Sequence, residues 1–509
     1  MSRVQRALWV LLPVLTALLI YGSTLQNGWF LDDWKLFTDT VWTPGRYTSR
    51  ALGPLDAWTS MHGLYIDDPS PAAARFTRPI TDMYYLLLRG REGYSPAVVH
   101  AGNLAVHALI CGGLGWLGGR GGNAPRAESL RFAAAGGLFL SAHSATAYVV
   151  PWCADACDVL ALAAVIPALV AAEGQGRGAV GAYGMLLVTA LFTKESTAPV
   201  LVLAPTLALL AGRRRHAAAL AGVGLVAAGL YGGWYLWKIP AIPAAHAGTA
   251  LKVALCWLPV LTSWPAALAK SGFVGQLHPS DAGLALGGAA VLLGLGIASL
   301  RASGETARAC TAAGVTWVAL TVPAAAGGLM GFLCARYVYV PLGASLAVLV
   351  VRLAPAGSPR VLNIATALLV ALSLANLPRT VPVVLAYQDE GKLWAEDARY
   401  GGDALALTQL ARVRFAQHRD ADGLDAWMSG MAALPGHDAY FEPSPQELAE
   451  VAQRALALHR PDDAMALMDY RRASTRPMPE NGPTWCAIAE ASRQLGRDAT
   501  DAEARCKRP

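Results

Sequence analysis

The chain has 509 residues, 54% of them hydrophobic and only 15% charged, with a mean hydropathy of +0.38. Such a composition excludes an ordinary soluble enzyme and indicates a polytopic membrane protein. The net charge of +6 does not point to nucleic acid, because the basic residues sit in short patches between apolar runs and form no basic face. Arg outnumbers Lys and Ala is abundant, a bias associated with GC-rich bacterial genomes.

In chain order, the basic stretch "MSRVQR" precedes an apolar run at 7–26. That run is long enough to cross about 30 Å of hydrocarbon, and with no small-residue cleavage site it reads as a retained signal anchor. "NGWFLDDWKLF" follows at 27–37 and opens a polar loop to residue 96, with Asp32 and Asp33 side by side among aromatic residues. Further apolar stretches lie near 97–118, 132–150, 158–172, 179–193, 197–211, 217–237, 251–269, 282–300, 310–333, 337–353 and 361–386. The expected total is about eleven or twelve membrane segments. With Pro259 and Pro265 inside it, 251–269 could instead be a broken or re-entrant segment.

Loop arginines set the orientation, since cytoplasmic loops carry the excess of Lys and Arg. Arg120, Arg126 and Arg131, then Arg177, then "RRRH" at 213–216, then Arg301 and Arg308, then Arg352 and Arg360 fall on one side. The expectation is a cytoplasmic N-terminus, with the 27–96 loop and everything after 387 on the opposite face.

Beyond residue 387 charges spread through the sequence and continuous apolar runs end. This predicts a second, soluble helical domain at 387–509. "QHRDADGLDA" from 417, "LHRPDDAMAL" from 458 and "LGRDATDAEA" from 495 echo one another, suggesting helical hairpins close to the 34-residue tetratricopeptide period. Cys486 and Cys506 flank the last helix pair and could form a disulfide in an oxidising compartment or remain as packed thiols.

Several polar residues stand out beside the apolar runs. His100, Asn103 and His107 share one face of the second span, where polar groups usually join helices; His100 is nearer the external surface. Lys194 and Glu195 in "FTKES" occupy an external turn, Arg336 opens the "RYVYVP" span, and Arg78 lies in "FTRPI". A charge at membrane depth is costly, so such residues are functional candidates, with snorkelling to the interface as the competing account for the cations.

Taken in order, "NGWFLDDW", "TRPITDMYYLL", "VVHAGNLAVHAL", "AHSATAYVVPWCADACDVL", "FTKESTAPVLVL" and "RYVYVPLG" resemble the motifs of the transmembrane and tetratricopeptide-repeat O-mannosyltransferases and their bacterial relatives. The likeness covers about residues 20–345 and implies an all-α GT-C bundle at 1–386, followed by the helical repeats. It implies transfer of a sugar from a polyprenyl-phosphate donor to a hydroxyl of a protein or glycan acceptor, with inversion, at the periplasmic face of a bacterial inner membrane. Asp32 or Asp33 matches the acidic first-loop motif. Burial among Trp29, Phe30 and Trp34, with mutual repulsion, could raise one of the two toward the pKa of a base. Lys194, Arg336 and Arg78 would contact the donor phosphate, with Arg78 equally able to pair an acid or brace the loop. Glu195, His100, His143 and Asp158 would support them.

The chain departs from that pattern after His143. Where relatives carry His-Pro, a second His, a Glu and an Arg-x-Asp, it shows Ser144, Thr146, Tyr148 and Ala156, keeping His143, Trp152 and Asp158. One acid and one base are therefore missing, which leaves the acceptor class open. No cofactor follows from the sequence, and a divalent metal stays open. The bilayer is an expected partner and the C-terminal repeats could hold a protein; nucleic acid is not expected. Two other classes compete: a degenerate membrane-anchored scaffold or assembly factor, favoured by the altered loop, and a transporter, which should place acids at mid-span and show repeat symmetry.

Overall fold

The computed structural model describes residues 3–30, 33, 37, 78–90, 93–119, 126–238, 304–328, 335–401, 404–433, 445–473 and 483–507. Among these, all regular structure is helical. The chain divides into two compact units that part between Asp389 and Glu390.

The N-terminal unit contains α1 (Arg3–Tyr21), α2 (Pro79–Leu88), α3 (Pro96–Leu117), α4 (Ala127–Ala142), α5 (Ala156–Glu173) and α6 (Arg177–Thr193). It continues with α7 (Val200–Leu210), α8 (Arg214–Lys238), α9 (Glu305–Gly328), α10 (Tyr339–Ala356) and α11 (Pro359–Ala386). Among the described residues, six segments are long and apolar enough to cross a membrane: Val4–Gln26, Pro96–Leu117, Cys153–Glu173, Arg214–Trp237, Arg336–Ala356 and Pro359–Ala386. This is the composition of a multi-pass membrane protein.

The eleven or twelve expected segments are not all of this kind. At 16, 17 and 11 residues, α4, α6 and α7 are shorter than the roughly 20 needed for a helical crossing. α9 is 24 residues long but begins with Glu305 and Arg308 and is not one of the six. The stretches 251–269 and 282–300 lie outside the described residues, as does most of the 27–96 loop.

The expected span at 132–150 breaks at its middle. α4 stops at Ala142 and the chain turns into a 3₁₀ helix, Ser144–Tyr148. Three side-chain bonds explain the break: Thr146 donates to the Leu140 carbonyl, Thr380 donates to the Ala142 carbonyl, and Asn376 accepts from the Ser144 amide. His143 Nδ1 accepts the Ala145 amide and so caps the turn.

α4 lies at the core, packed by α1, α3, α10 and α11. Phe132, Ala133, Ala134, Ala135, Phe139 and Leu140 are buried along it. Small residues set the spacing: a Cβ at Gly137 would lie 2.4 Å from the Cys111 carbonyl oxygen, and one at Gly343 would meet Leu162 at the same distance. Such close approach is how helices associate where burial from water gives no drive. Across the bundle, Tyr21 donates to the Ser141 carbonyl, Ser129 to that of Ala354, and His107 Nδ1 lies 2.9 Å from the Tyr339 hydroxyl. His107 thus joins α3 to α10.

The C-terminal unit contains α12 (Glu390–Gly401) and three hairpins: α13 (Ala404–Ala416) with α14 (Asp420–Ala433), α15 (Pro445–Ala457) with α16 (Pro461–Ala473), and α17 (Pro483–Gln494) with α18 (Thr500–Cys506). The three echoing sequence segments are their turns. His418, His459 and Gly496 occupy equivalent positions with φ of 58°, 57° and 65°. The next amide reaches back five residues in each: Arg419 to Arg414, Arg460 to Ala455 and Arg497 to Ser492. That is the Schellman ending, repeated three times. Cys486 and Cys506 are joined as a disulfide that ties the last hairpin.

Candidate functional site

Site residues that lie far apart in the sequence meet where α2, α3, α5, α6 and the approach to α10 come together. The segment from Trp152 to Asp158 is their common contact. Chain reversal at His143, absent from a straight span, brings "PWCADACD" back to this place.

Asp33 is fully buried. Its Oδ2 accepts the Phe30 amide at 3.0 Å and its Oδ1 accepts the Ala154 amide at 2.7 Å, so this one side chain ties the start of the first loop to the 152–158 segment. Beside it Phe37 stacks on Trp29 at 4.6 Å and meets Tyr85 edge-on, closing an aromatic layer over Cys153 and Val99. Asp32 and Trp34 lie outside the described residues.

α3 contributes two polar side chains to the same floor. His100 Nε2 sits 3.3 Å from the Gly28 carbonyl oxygen and its ring is 3.4 Å from Cys153 Sγ. Asn103 donates to the Trp152 carbonyl and accepts from the Tyr84 hydroxyl. Tyr85 donates to the Cys153 carbonyl at 2.7 Å. The bonds from Asn103 and Tyr85 fix the backbone at Trp152 and Cys153.

Next to this floor lie three cations and three acids, each cation facing one acid. Lys194 Nζ is 2.5 Å from Asp158 Oδ2, and both side chains are buried. Burial pushes the Lys194 ammonium toward neutrality, but Asp158 together with Cys157 and Asp155 outweighs it and holds the pKa above the usual lysine range. Arg78 donates twice to Glu195, at 2.6 and 3.0 Å, and once to Cys157 Sγ at 3.2 Å. Its pKa is likewise raised, with burial opposing the charge and Glu195, Cys157 and Asp158 together prevailing. Arg336 donates to Asp155 Oδ1 at 3.2 Å while its guanidinium lies over the Trp152 ring at 4.6 Å and the Tyr337 ring at 5.2 Å. With 23% exposure against 7% for Lys194, Arg336 is the more open of these two cations.

The structure therefore gathers Asp33, Arg78, His100, Asp158, Lys194, Glu195 and Arg336 into one place. His143 is not among them: it caps the 3₁₀ turn and packs edge-on against Phe139. Of the alternatives for Arg78, acid pairing is the one realised.

Asp155, Cys153 and Cys157 belong to the site although sequence reasoning assigned them no role. Asp155 is the third acid of the cluster and faces Arg336. A repeated Asp three residues before Asp158 in "CADACD" was the available signal.

Asp155, Cys157 and Asp158 bring three ligand atoms within 4.8 Å of one another and could hold a metal ion by distance alone. Both carboxylates already face a cation, Arg336 and Lys194. The cations offset the charge of both carboxylates, while Asp155 Oδ2, buried with no hydrogen-bond partner among the described residues, leaves one oxygen open. No protein-family model, no curated protein and no solved structure matches the chain.

Proposed function

We propose that the chain is a membrane glycosyltransferase of the GT-C type, moving a sugar from a polyprenyl-phosphate donor to a hydroxyl of a protein or glycan acceptor. One observation carries this reading. Residues from six separate motifs, spread from Asp33 to Arg336, converge on one cluster that combines a first-loop acid with buried cations. In this reading the cluster faces the periplasm of a bacterial inner membrane, and the C-terminal hairpins form a tetratricopeptide-like domain on the same face.

In the proposed reaction the acceptor oxygen attacks the anomeric carbon and gives up its proton to a carboxylate. The bond from that carbon to the phosphate oxygen breaks, and its electron pair stays on the lipid phosphate. Asp33 makes a poor base, because both of its oxygens accept backbone amides and its role is to position the loop. The proton acceptor is therefore assigned to Asp32. Arg336 and Lys194 stabilise the charge that develops on the leaving phosphate, as fixed cations in a water-poor site do.

The test compares two variants of the purified full-length chain in lipid vesicles carrying polyprenyl-phosphate sugars, with mass spectrometry of acceptor glycans as the readout. Asp32→Asn is expected to lower turnover about 1,000-fold with the fold intact, the range for a lost general base combined with its electrostatic effect. Asp33→Asn is expected to lower the amount of folded protein. Wild-type turnover from Asp32→Asn would remove the proposed base. A second reading, an inactive scaffold, is favoured by the acid that faces each of the three cations. It predicts no change in any membrane glycolipid or periplasmic glycoprotein when the chain is deleted.

A further inference from the structure

At the far end of α5 from Asp158, a different charge pattern surrounds the turns α5–α6 and α7–α8. Glu173, the last residue of α5, is shared by Arg213 at 2.6 Å and Arg352 at 2.5 Å. His216 Nε2 donates to the Ala172 carbonyl at 2.7 Å. These contacts fix the two turns against each other and leave a cleft of about 500 Å³ between them, lined by Gln175, Gly176, Gly212, Arg213, Arg214, Arg215 and His216.

Among the described residues no acid lines the cleft, and Glu173 beside it is already held by two arginines. Arg214 and Arg215 are exposed and have no acid partner among the described residues; Arg177 is exposed at the start of α6. Gly212 at φ 74° and Gly176 at φ 95° form the two turns, and no atom lies within 4 Å of a Cβ built on either, so backbone as well as side chains is accessible there. An apolar surface begins directly beside the cleft. Leu209 and Leu210 are 54% and 50% exposed, and along α8 Leu225, Val226 and Leu230 are exposed too.

Positive charge in an open cleft, set at the end of a candidate membrane span and continued by an exposed leucine surface, matches an amphiphile with an anionic head. We propose that this cleft binds the phosphodiester head group of an anionic membrane lipid, with Arg214 and Arg215 on the phosphate and the acyl chains against Leu209, Leu210 and α8. A zwitterionic lipid brings its own cation into the cleft and loses that advantage. A free phosphate lacks the chains. The site is independent of the proposed transfer reaction, since no residue is common to the two.

The experiment uses the full-length chain purified in neutral detergent and native mass spectrometry, with phosphatidylglycerol, phosphatidylcholine and inorganic phosphate as probes. Phosphatidylglycerol is expected to be retained about tenfold over phosphatidylcholine and to resist millimolar phosphate. Each arginine beside an anionic head group is worth roughly fivefold, so Arg214→Gln with Arg215→Gln should weaken retention about 30-fold. Arg213 is left in place because it holds Glu173. Arg308→Gln, which removes an exposed cation from α9, should change nothing. If the double variant does not fold, Arg215→Gln alone carries the test at about fivefold. Equal retention of the two lipids overturns the proposal, as does retention unaffected by the arginine variants. Displacement of phosphatidylglycerol by millimolar phosphate would make the cleft a free-anion site and overturn it as well.

Discussion

In the N-terminal unit most ion pairs that join separate elements are drawn inside, whereas the pairs of the C-terminal unit lie largely on the surface. Lys194–Asp158 is nearly sealed from solvent, and Arg352–Glu173 is only slightly more open. Arg419–Asp422 and Arg493–Glu490 sit on their helix surfaces with more than a third of each side chain exposed. The physical stakes differ accordingly. Breaking a buried pair strands a charge that has no water to return to, while an exposed pair exchanges one hydrated arrangement for another. The first unit should therefore respond to single charge deletions by losing its fold or its site, and the second should respond to changes in local backbone geometry.

Deletion of one partner of the most buried pair tests this most severely. Lys194→Ala leaves Asp158 buried without its cation and should cost about 3–5 kcal/mol, the range for a broken buried pair. Thermal unfolding in detergent measures it. Lys194→Met combined with Asp158→Leu should recover most of that stability while leaving transfer absent, because packed apolar side chains substitute for an ion pair but not for its field. A double variant as unstable as the single one would mean that Lys194 holds the fold through contacts other than Asp158.

Arg336→Ala should separate function from stability. Its pairing with Asp155 is longer than that of Lys194 and more open on the arginine side, so the loss of stability should be smaller, although the buried Asp155 keeps it above that of an exposed pair. Under the proposed reaction kcat/KM for the lipid donor should fall about 100-fold, roughly 2.7 kcal/mol, with the KM for acceptor nearly unchanged. A rise in acceptor KM alone would move Arg336 to the acceptor side.

Glu173→Gln probes the opposite end of α5. It releases Arg213 and Arg352 together, and loss of a charge-assisted contact of this burial should cost about 2 kcal/mol in unfolding measurements. Under the proposed reaction turnover should be unaffected in folded protein, because no residue of the proposed catalytic cluster pairs with Glu173.

The helices of the N-terminal unit were legible in the sequence because long apolar runs admit little else in a bilayer. Two features were not. The break at His143 is only half local: Ser141, His143, Ser144 and Thr146 interrupt the apolar run at 132–150, but Thr380 and Asn376, more than 200 residues away, supply two of the bonds that define it. Pairing of the site cations was equally hidden. Arg78 and Glu195 are 117 positions apart, Arg336 and Asp155 181, and no local spacing records such a match. A cation at a span end reads the same whether it waits for a phosphate or holds an acid. In the C-terminal unit the reverse is true. The echoing segments are local, and each encodes its own turn.

That local encoding gives the smallest of the expected effects. At the three equivalent turns the sequence places His418, His459 and Gly496 in the left-handed region, which an L-residue enters at a cost of about 1–2 kcal/mol and glycine enters freely. His418→Gly removes that cost but admits a more flexible unfolded chain, which takes back about 0.5–1 kcal/mol. The net should be a stabilisation of about 0.5 kcal/mol, read as slower amide hydrogen exchange in α13 and α14. Gly496→His at the third turn should have the opposite sign and similar size, with faster exchange in α17 and α18. Arg419→Ala, which removes the exposed pair beside the first turn, should stay within about 0.5 kcal/mol of the parent. If Arg419→Ala costs more than Gly496→His, the surface charges rather than the backbone turns hold these hairpins, and the contrast between the two units fails.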